Sequence, residues 1–354
     1  MKNLRQSILL ATVSLTLILA SCHKDKKITP VTPVVTTGLY VLNQGLFNDN
    51  NSTLSFYSYS TKQVTPDIFS SANSRGLGDT GNDIEIYGSK TYVVINISST
   101  IEVINTKTAK SVAQIKLFNG TKAREPRNVV FYKGNAYVTS YDGTVAVIDT
   151  AALTVSKYII VGRNPEQLAV ANGKLYVANS GGLDFPNYDK TVSVIDLGTQ
   201  TVTKTLTVVV NPQNVVADNY GHVYVLSAGD YTAANPSSLA IIDDNTDTVT
   251  SQTNFDGSGM TIQGDNIYFI TSAGKIEIYD AKTQTVSNAN FVSDGTVITT
   301  PYSVNADAST GEVFVTDAKD YTSNGTLFAF DKTGKKEYSV TVGINPGKIA
   351  LVKN

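Results

Sequence analysis

Residues 165–209 read PEQLAVANGKLYVANSGGLDFPNYDKTVSVIDLGTQTVTKTLTVV. Runs rich in Val, Leu, Ile and Tyr alternate with breaks that carry Gly, Asn and Asp, which is typical of strands joined by turns. The Asn172-Gly173 pair predicts a tight hairpin turn. A four-stranded meander of this size cannot bury both faces alone, so we expect copies of it on either side. The predicted strands are 166–171, 174–178, 191–197 and 201–209.

Two motifs from this stretch recur along the chain. The second-strand motif, Leu-Tyr-Val at 175–177, has counterparts around Tyr40, Tyr92, Tyr137, Tyr224, Tyr268 and Phe314. The third-strand motif, Val-Ile-Asp at 194–196, has counterparts at 103–105, 147–149, 241–243, 278–280 and 329–331, and a weaker one at 56–58. Seven units therefore fill residues 38–353, at about 45 residues each, which is the size of a four-stranded propeller blade.

The two ends of the repeat region decide between a ring and an open solenoid. The first unit begins directly at a second strand, 38–42, and the chain finishes on a lone first strand, 345–351. These fragments complete one blade and close a ring, which removes the open strand edges of a solenoid. We therefore predict an all-β fold over 38–354, a seven-bladed β-propeller of four-stranded blades closed by its C-terminal strand. No stretch with helical periodicity and useful length follows residue 22.

The N-terminus has the features of an export signal. Lys2 and Arg5 precede the apolar run 8–19, which is too short to span a membrane. The sequence Leu-Ala-Ser-Cys at 19–22 resembles the bacterial lipobox, whose cysteine is lipidated. We predict a signal peptide over 1–21, lipidation at Cys22 and a tether over 22–37. The mature protein is then expected to be lipid-anchored in the outer membrane, at the cell surface.

Composition argues against several functional classes. The net charge of −2 provides no basic field for nucleic acid. With two histidines and one cysteine in 354 residues, the chain offers neither a His-based metal site nor a Ser-His-Asp set. We therefore expect no catalytic residue, no metal and no cofactor. Carboxylate-only catalysis by Asp83 and Glu166 stays open as an alternative.

Loop lengths indicate which face of the ring carries the function. Turns between first and second strands and between third and fourth strands are short, and their repeated Asp residues are expected to cap turns. On the other face, four loops between second and third strands are long: 43–53, 179–190, 228–238 and 317–326. They predict two ridges of aromatic residues among polar ones, a composition that suits recognition. The ridge aromatics are Phe47, Phe185, Tyr188, Tyr231 and Tyr321.

The starts of the first strands add a second set of candidates. Pro or Gly precedes each of these strands, and the side chain two residues later is expected to ring the mouth of the central channel. This ring consists of Asp83, Asn128, Gln167, Asn214, Gly259, Ser303 and Lys348. Beside it lie Arg127, Arg163, Glu166, Gln213 and Tyr302. Such side chains either bind a ligand or hold neighbouring loops, and the sequence leaves both roles open.

Several motifs resemble one known group of propellers. Tyr-Val-Ala-Asn at 176–179 and Tyr-Val-Thr-Ser at 137–140 resemble the YVTN-type repeat. The stretches LGDTGND at 77–83, Pro-Arg-Asn at 126–128 and Asn-Pro-Gln-Asn at 211–214 resemble surface propellers of Bacteroides type. This resemblance implies capture of cobalamin or a related corrinoid, and its transfer to a TonB-dependent outer-membrane transporter. A glycan-binding accessory, or a carboxylate-based enzyme of the lyase or lactonase kind, is the alternative for the same face.

Overall fold

Seven four-stranded antiparallel sheets form the ring in a computed structural model that describes residues 35–354. The sheets follow one another along the chain, so each is one blade of a propeller. The predicted all-β, seven-bladed architecture is confirmed. The predicted signal peptide, the lipidation site Cys22 and the tether up to residue 34 lie outside the described residues. No helix among residues 35–354 combines the length and apolar character needed to cross a membrane.

Blade 1 is built from both ends of the chain. Its sheet order is β3-β2-β1-β30, so the C-terminal strand is innermost. The register runs from Thr36 opposite Lys353 to Asn43 opposite Pro346. The predicted closure of the ring by the C-terminal strand is therefore confirmed. The strands are β1 (Thr36–Asn43), β2 (Thr53–Ser58), β3 (Gln63–Thr65) and β30 (Pro346–Lys353).

The other six blades each use four consecutive strands, numbered from the centre of the ring outward. Blade 2 contains β4 (Gly81–Tyr87), β5 (Lys90–Ile95), β6 (Thr100–Asn105) and β7 (Ser111–Lys116). Blade 3 contains β10 (Pro126–Tyr132), β11 (Asn135–Ser140), β12 (Thr144–Asp149) and β13 (Thr154–Ile160). Blade 4 contains β14 (Pro165–Ala171), β15 (Lys174–Asn179), β16 (Thr191–Asp196) and β17 (Thr201–Thr207).

Blades 5 to 7 repeat the same arrangement. Blade 5 contains β18 (Pro212–Ala217), β19 (His222–Ser227), β20 (Ser238–Asp243) and β21 (Thr248–Asn254). Blade 6 contains β22 (Gly259–Gln263), β23 (Asn266–Ile270), β24 (Ile276–Asp280) and β25 (Thr285–Asn288). Blade 7 contains β26 (Pro301–Ala306), β27 (Val313–Asp317), β28 (Asn324–Phe330) and β29 (Lys336–Ile344).

The recurring second-strand tyrosine joins several of the blades to the next one. The Tyr40 side chain is buried, and its hydroxyl donates to the Thr106 carbonyl of blade 2 at 2.7 Å. The Tyr224 hydroxyl of blade 5 donates in the same way to the Ala281 carbonyl of blade 6, at 3.0 Å. A buried tyrosine requires such a partner, while its ring supplies apolar contact area between sheets. The motif is therefore repeated because the same contact between blades is repeated.

The aspartates at the ends of the third strands cap turns, as predicted. Asp149 Oδ1 accepts hydrogen bonds from the backbone N–H groups of Ala151 and Ala152, both at 2.7 Å. Asp243 accepts from the N–H groups two and three residues later. These backbone hydrogen bonds lower the pKa of both carboxyl groups, because they stabilise the ionised form.

Two short segments interrupt the regular repeat. Helix α1 (Ile68–Asn73) lies between blades 1 and 2, where Asp67 caps it by accepting from Ser70 N at 3.1 Å. A two-stranded hairpin, β8 (Phe118–Asn119) and β9 (Lys122–Ala123), lies between blades 2 and 3. Neither segment was predicted, because elements this short carry too few residues for a periodic pattern.

Candidate ligand-binding site

The long loops of blades 1, 4 and 5 lie where the unequal lengths in the sequence indicated, whereas the blade 7 loop is shorter than predicted because β28 begins at Asn324. The connections between second and third strands in blades 1, 4, 5 and 7 are residues 44–52, 180–190, 228–237 and 318–323. Those of blades 2, 3 and 6 are shorter, at 96–99, 141–143 and 271–275. Because strand directions alternate within a blade, these loops share one face of the ring with the starts of the innermost strands. We call this side the loop face.

Side chains at the starts of the innermost strands converge on the central channel. They line a cavity of about 230 Å³. The pairing of the first and second strands shifts register near this point, for example between Gly81 and Asp83, and such irregularities re-aim side chains. All seven positions that the sequence assigned to the ring line this cavity: Asp83, Asn128, Gln167, Asn214, Gly259, Ser303 and Lys348.

Part of this ring has a structural role. Asp83 Oδ2 in blade 2 accepts a hydrogen bond from the backbone N–H of Val129 in blade 3, at 2.9 Å. Gln167 Oε1 in blade 4 accepts from the backbone N–H of Val215 and from Asn214 Nδ2, at 3.1 and 3.2 Å. Asp83 and Gln167 thus join neighbouring blades. The side-chain amide of Asn128, in contrast, has no hydrogen-bond partner among the described residues.

A wider basin lies over the channel on the loop face. Its volume is about 380 Å³, and six of its lining residues also line the cavity below, among them Asn128, Asn214, Ser258, Tyr302 and Lys348. Amide side chains dominate its walls, so it offers both donors and acceptors. The other side chains that line it are those of Gln44, Asn82, Arg127, Tyr141, Glu166 and Gln213.

Arg127 is held in place at the edge of this basin. Its Nε donates to Glu166 Oε2 at 2.9 Å, and its guanidinium carbon lies 4.5 Å from the centre of the Tyr141 ring. The Tyr141 hydroxyl donates to the other Glu166 oxygen at 2.6 Å. Burial, together with the Glu166 charge, raises the pKa of Tyr141, so this hydroxyl stays protonated. No described residue accepts a hydrogen bond from the two terminal nitrogens of Arg127, which remain available to a ligand.

Glu85 lies deeper in the channel, and sequence reasoning missed it. This side chain is accessible from the channel cavity that it lines, although protein atoms surround the cavity. Burial raises the pKa of Glu85 to about 8, and the charge of Asp83 adds to this effect while Lys348 opposes it. The two-residue spacing from Asp83 was the available signal, because side chains i and i+2 of a strand share a face. Tyr141 was missed because nothing local relates it to Glu166.

The predicted aromatics of blades 4 and 5 form a cluster. The Tyr188 ring centre lies 6.0 Å from that of Phe185 and 6.2 Å from that of Tyr231, across the boundary between the two blades. Phe185 and Tyr231 are each 72% exposed, so these rings are not packed beneath their own loops. Arg163 stabilises the blade 4 loop by donating to the Asp184 carboxylate at 2.5 Å. None of these four side chains lines the basin.

The aromatics of blades 7 and 1 are arranged differently. Tyr302 lines the basin, and its ring centre lies 6.1 Å from that of the half-exposed Tyr321. The Tyr302 hydroxyl donates to Gln44 Oε1 in the blade 1 loop. Phe47 is 68% exposed and does not line the basin. The predicted site residues therefore form a polar centre, made of Arg127, Asn128, Asn214 and Tyr302, and separate aromatic groups on the ridges.

Residues 35–354 contain no cluster of three or more His, Cys, Asp or Glu side chains placed to hold a metal ion. Several acidic residues of the long loops instead accept hydrogen bonds from protein groups. Asp320 accepts from the backbone N–H groups of Thr322 and Ser323, at 3.0 and 2.7 Å. These hydrogen bonds lower the pKa of Asp320 and keep it ionised.

Solved structures share this architecture. A quinonprotein alcohol dehydrogenase-like protein from Bacteroides thetaiotaomicron superposes with a TM-score of 0.64 and 17% identity, over 90% of this chain and 79% of that one. The hydrazine synthase of Kuenenia stuttgartiensis gives 0.57 and 14%, over 69% and 74%. The computationally designed Ika8 protein gives 0.57 and 13%, over 88% and 95%. At such low identities, these similarities show the fold alone.

Sequence families provide the remaining comparison. No curated protein matches the chain. One family profile matches residues 37–345, which span the propeller from β1 to the last residue before β30. This chain belongs to the family described as Domain of unknown function (DUF5074).

Proposed function

We propose that the loop face captures a small molecule without transforming it and passes it to a TonB-dependent outer-membrane transporter, with a corrinoid as the favoured ligand. The observation that carries this proposal is the basin of about 380 Å³ at the mouth of the channel. Its walls are rich in amides, and its one arginine is fixed by Glu166 and Tyr141 with two nitrogens free. Small-molecule sites combine such a concave shape with a few oriented polar groups.

The chemistry of a corrinoid matches these groups. Amides fringe its macrocycle, and they can exchange hydrogen bonds with Asn128, Gln213 and Asn214. The phosphate of its nucleotide loop carries a negative charge, which the terminal nitrogens of Arg127 can bind in a bidentate manner. Lys348 adds a second positive charge in the same basin.

Because of its size, a corrinoid requires contact surface outside the basin as well as inside it. A corrinoid is broad and rigid, so its macrocycle extends beyond a cavity of about 380 Å³. The exposed rings of the ridges, such as Tyr231 and Tyr321, offer flat apolar surface for that part. The polar basin then orients one end of the ligand while the ridge aromatics supply contact area.

Delivery to a transporter rests on the N-terminal motif and on the resemblance to surface propellers. A lipid on Cys22 holds the protein at the outer membrane, where the transporter lies. Proximity of this kind raises the effective concentration of the loaded propeller near its partner. Anchoring through Cys22 would therefore place ligand capture next to the transporter that receives the ligand.

One observation favours a second candidate, a carboxylate-based enzyme acting on a glycan. Burial raises the pKa of Glu85 to about 8, and a carboxyl group that titrates near neutral pH is suited to general acid–base catalysis. Glu166, which the sequence suggested for such a role, has both oxygens engaged by Arg127 and Tyr141. The enzyme hypothesis therefore assigns the role of general acid to Glu85 in the channel.

Calorimetric titration with cyanocobalamin, in parallel with a panel of neutral oligosaccharides, tests the proposal. Each mixture is then analysed by mass spectrometry for products. We expect saturable binding of cyanocobalamin that Arg127→Gln weakens, with no change in the mass of any ligand. Absence of cyanocobalamin binding at millimolar concentration overturns the corrinoid proposal. If the wild-type protein forms a product from an oligosaccharide and Glu85→Gln does not, the proposal of non-catalytic capture is overturned.

A further inference from the structure

A groove of about 530 Å³ lies at the rim of blade 2, apart from the channel mouth. It shares no lining residue with the basin or with the channel cavity. Residues 75–78, which follow helix α1, form one side, and Phe118 in the hairpin of β8 and β9 contributes to the other. The two departures from the regular repeat therefore border the same groove.

Arg75, which lines the groove, forms an ion pair with the buried Glu102. Arg75 Nη2 donates to Glu102 Oε1 at 2.8 Å, and the guanidinium carbon lies 4.8 Å from the centre of the Phe69 ring. Glu102 is completely buried and also accepts hydrogen bonds from Ser111 and from Gln114. Its charge is thus fully engaged, and the groove presents no negative surface from this carboxylate.

Other lining groups remain available. Lys116 is exposed, and its amine has no partner among the described residues. Phe118 is 40% exposed. Thr100 also lines the groove, but it is only 6% exposed and its hydroxyl oxygen is sealed from solvent, so it contributes to the shape of the groove and not to hydrogen bonding.

The combination of groups indicates a chemical class. An aromatic ring beside amides and hydroxyls suits a sugar, whose C–H face packs on the ring while its hydroxyls exchange hydrogen bonds. The formal charges of Arg75, Glu102 and Lys116 leave one positive charge, which suits a carboxylate rather than a doubly charged phosphate. The volume falls within the range of about 300–1,000 Å³ that is common for ligand pockets.

We propose that this groove binds an acidic oligosaccharide, with a uronic acid as the charged unit. Phe118 packs against a sugar ring, and Lys116 pairs with the carboxylate. The amides of Asn50 and Gln114 lie along the groove to bind the hydroxyls. This site is independent of the proposed corrinoid site, because the two have no residue in common.

Titration of the mature protein with trigalacturonic acid and with its carboxyl-reduced counterpart tests this proposal. We expect the acidic trisaccharide to bind more tightly than the neutral one. Lys116→Gln should weaken the acidic trisaccharide about tenfold and remove the preference, because the ion pair is lost. Phe118→Ala should weaken both about tenfold, because packing area is lost. Far-ultraviolet circular dichroism and the melting temperature identify any variant that fails to fold.

Matched controls define the location of the binding. Lys282→Gln and Tyr220→Ala alter exposed residues of the opposite face and should leave binding unchanged. Arg127→Gln at the channel mouth should also leave it unchanged. Failure of wild-type protein to bind at millimolar concentration, equal affinity for the two trisaccharides, or wild-type binding by a folded Lys116→Gln or Phe118→Ala protein overturns the proposal. So does a loss of binding in Arg127→Gln, which would locate the sugar at the mouth.

Discussion

Arg127 Nε and Glu166 Oε2 lie 2.9 Å apart across the boundary between blades 3 and 4. The pair is mostly buried, and the guanidinium carbon of Arg127 lies over the Tyr141 ring. One contact therefore joins two blades, and it leaves the two terminal nitrogens of Arg127, which lines the basin, without an acceptor among the described residues. A cation held in this way loses little conformational freedom when a ligand binds, which favours affinity.

The two halves of this pair should respond differently to substitution. Arg127→Gln should weaken cyanocobalamin binding by about 1–3 kcal/mol, because arginine anchors in such sites dominate recognition. Glu166→Gln should lower the free energy of unfolding by about 1.5–3 kcal/mol, because hydrogen bonds to a charged group are lost. Urea denaturation and calorimetry measure the two quantities. If the wild-type and Arg127→Gln proteins bind cyanocobalamin with equal affinity, Arg127 does not contact the ligand.

The ridge aromatics should affect affinity but not stability. Tyr188→Ala, Tyr231→Ala and Tyr321→Ala should each weaken ligand binding by about 1–3 kcal/mol, or about tenfold to a hundredfold. Their melting temperatures should stay close to that of the wild type, since these side chains lie outside the blades. Asp280→Ala and Asn172→Ala, in turns of the opposite face, serve as controls that lose stability and keep affinity. The reverse pattern would show that the ligand binds to the other face.

Deletion of residues 345–354 should open the ring. It removes β30, which pairs with β1 along its whole length, and so exposes an unprotected strand edge. We expect aggregation in size-exclusion chromatography with light scattering. Deletion of Asn354 alone is the control, because it removes only terminal hydrogen bonds to Val35. A monomeric long truncation with an unchanged melting temperature would contradict closure by this strand.

The raised pKa of Glu85 makes a prediction about pH. At pH values between about 4.5 and 8, the folded protein holds a proton on Glu85 that the unfolded chain has lost. The free energy of unfolding should therefore fall as the pH rises through this window, by the contribution of this group. Glu85→Gln should remove that contribution and exceed the wild type in stability at pH 9 but not at pH 4. Urea denaturation at both pH values measures the difference in free energy of unfolding between Glu85→Gln and the wild type, with Asp49→Asn as an exposed control. The same difference at pH 4 and at pH 9 would contradict the raised pKa of Glu85.

Cys22 should carry the lipid anchor. Cells that express the wild-type protein and are fed radiolabelled palmitate should incorporate label into it, and Cys22→Ala should abolish the incorporation. On cell fractionation, the wild-type protein should be found in the outer membrane and Cys22→Ala in a soluble fraction. Label retained in Cys22→Ala would show that the anchor is elsewhere or absent.

The sequence by itself determined the blades and the closure of the ring. Strand periodicity and turn residues depend on near neighbours in the sequence, and the second-strand motif recurs from unit to unit. Each copy therefore supports the same interpretation. The ends at 38–42 and 345–351 then identified a shared blade. The seven ring positions followed for the same reason, because a repeat places equivalent residues at equivalent points.

Tertiary structure alone decided what those residues do. The contacts of Glu166 with Arg127 and Tyr141 cross a blade boundary, and no local pattern encodes them. Arg163, in the crossing from blade 3 to blade 4, contacts Asp184 in the long blade 4 loop. The rim groove depends on two irregular segments that flank blade 2 and that no repeat predicts. A repeat determines local geometry, whereas the chemistry of a site depends on which nonequivalent side chains the closed ring brings together.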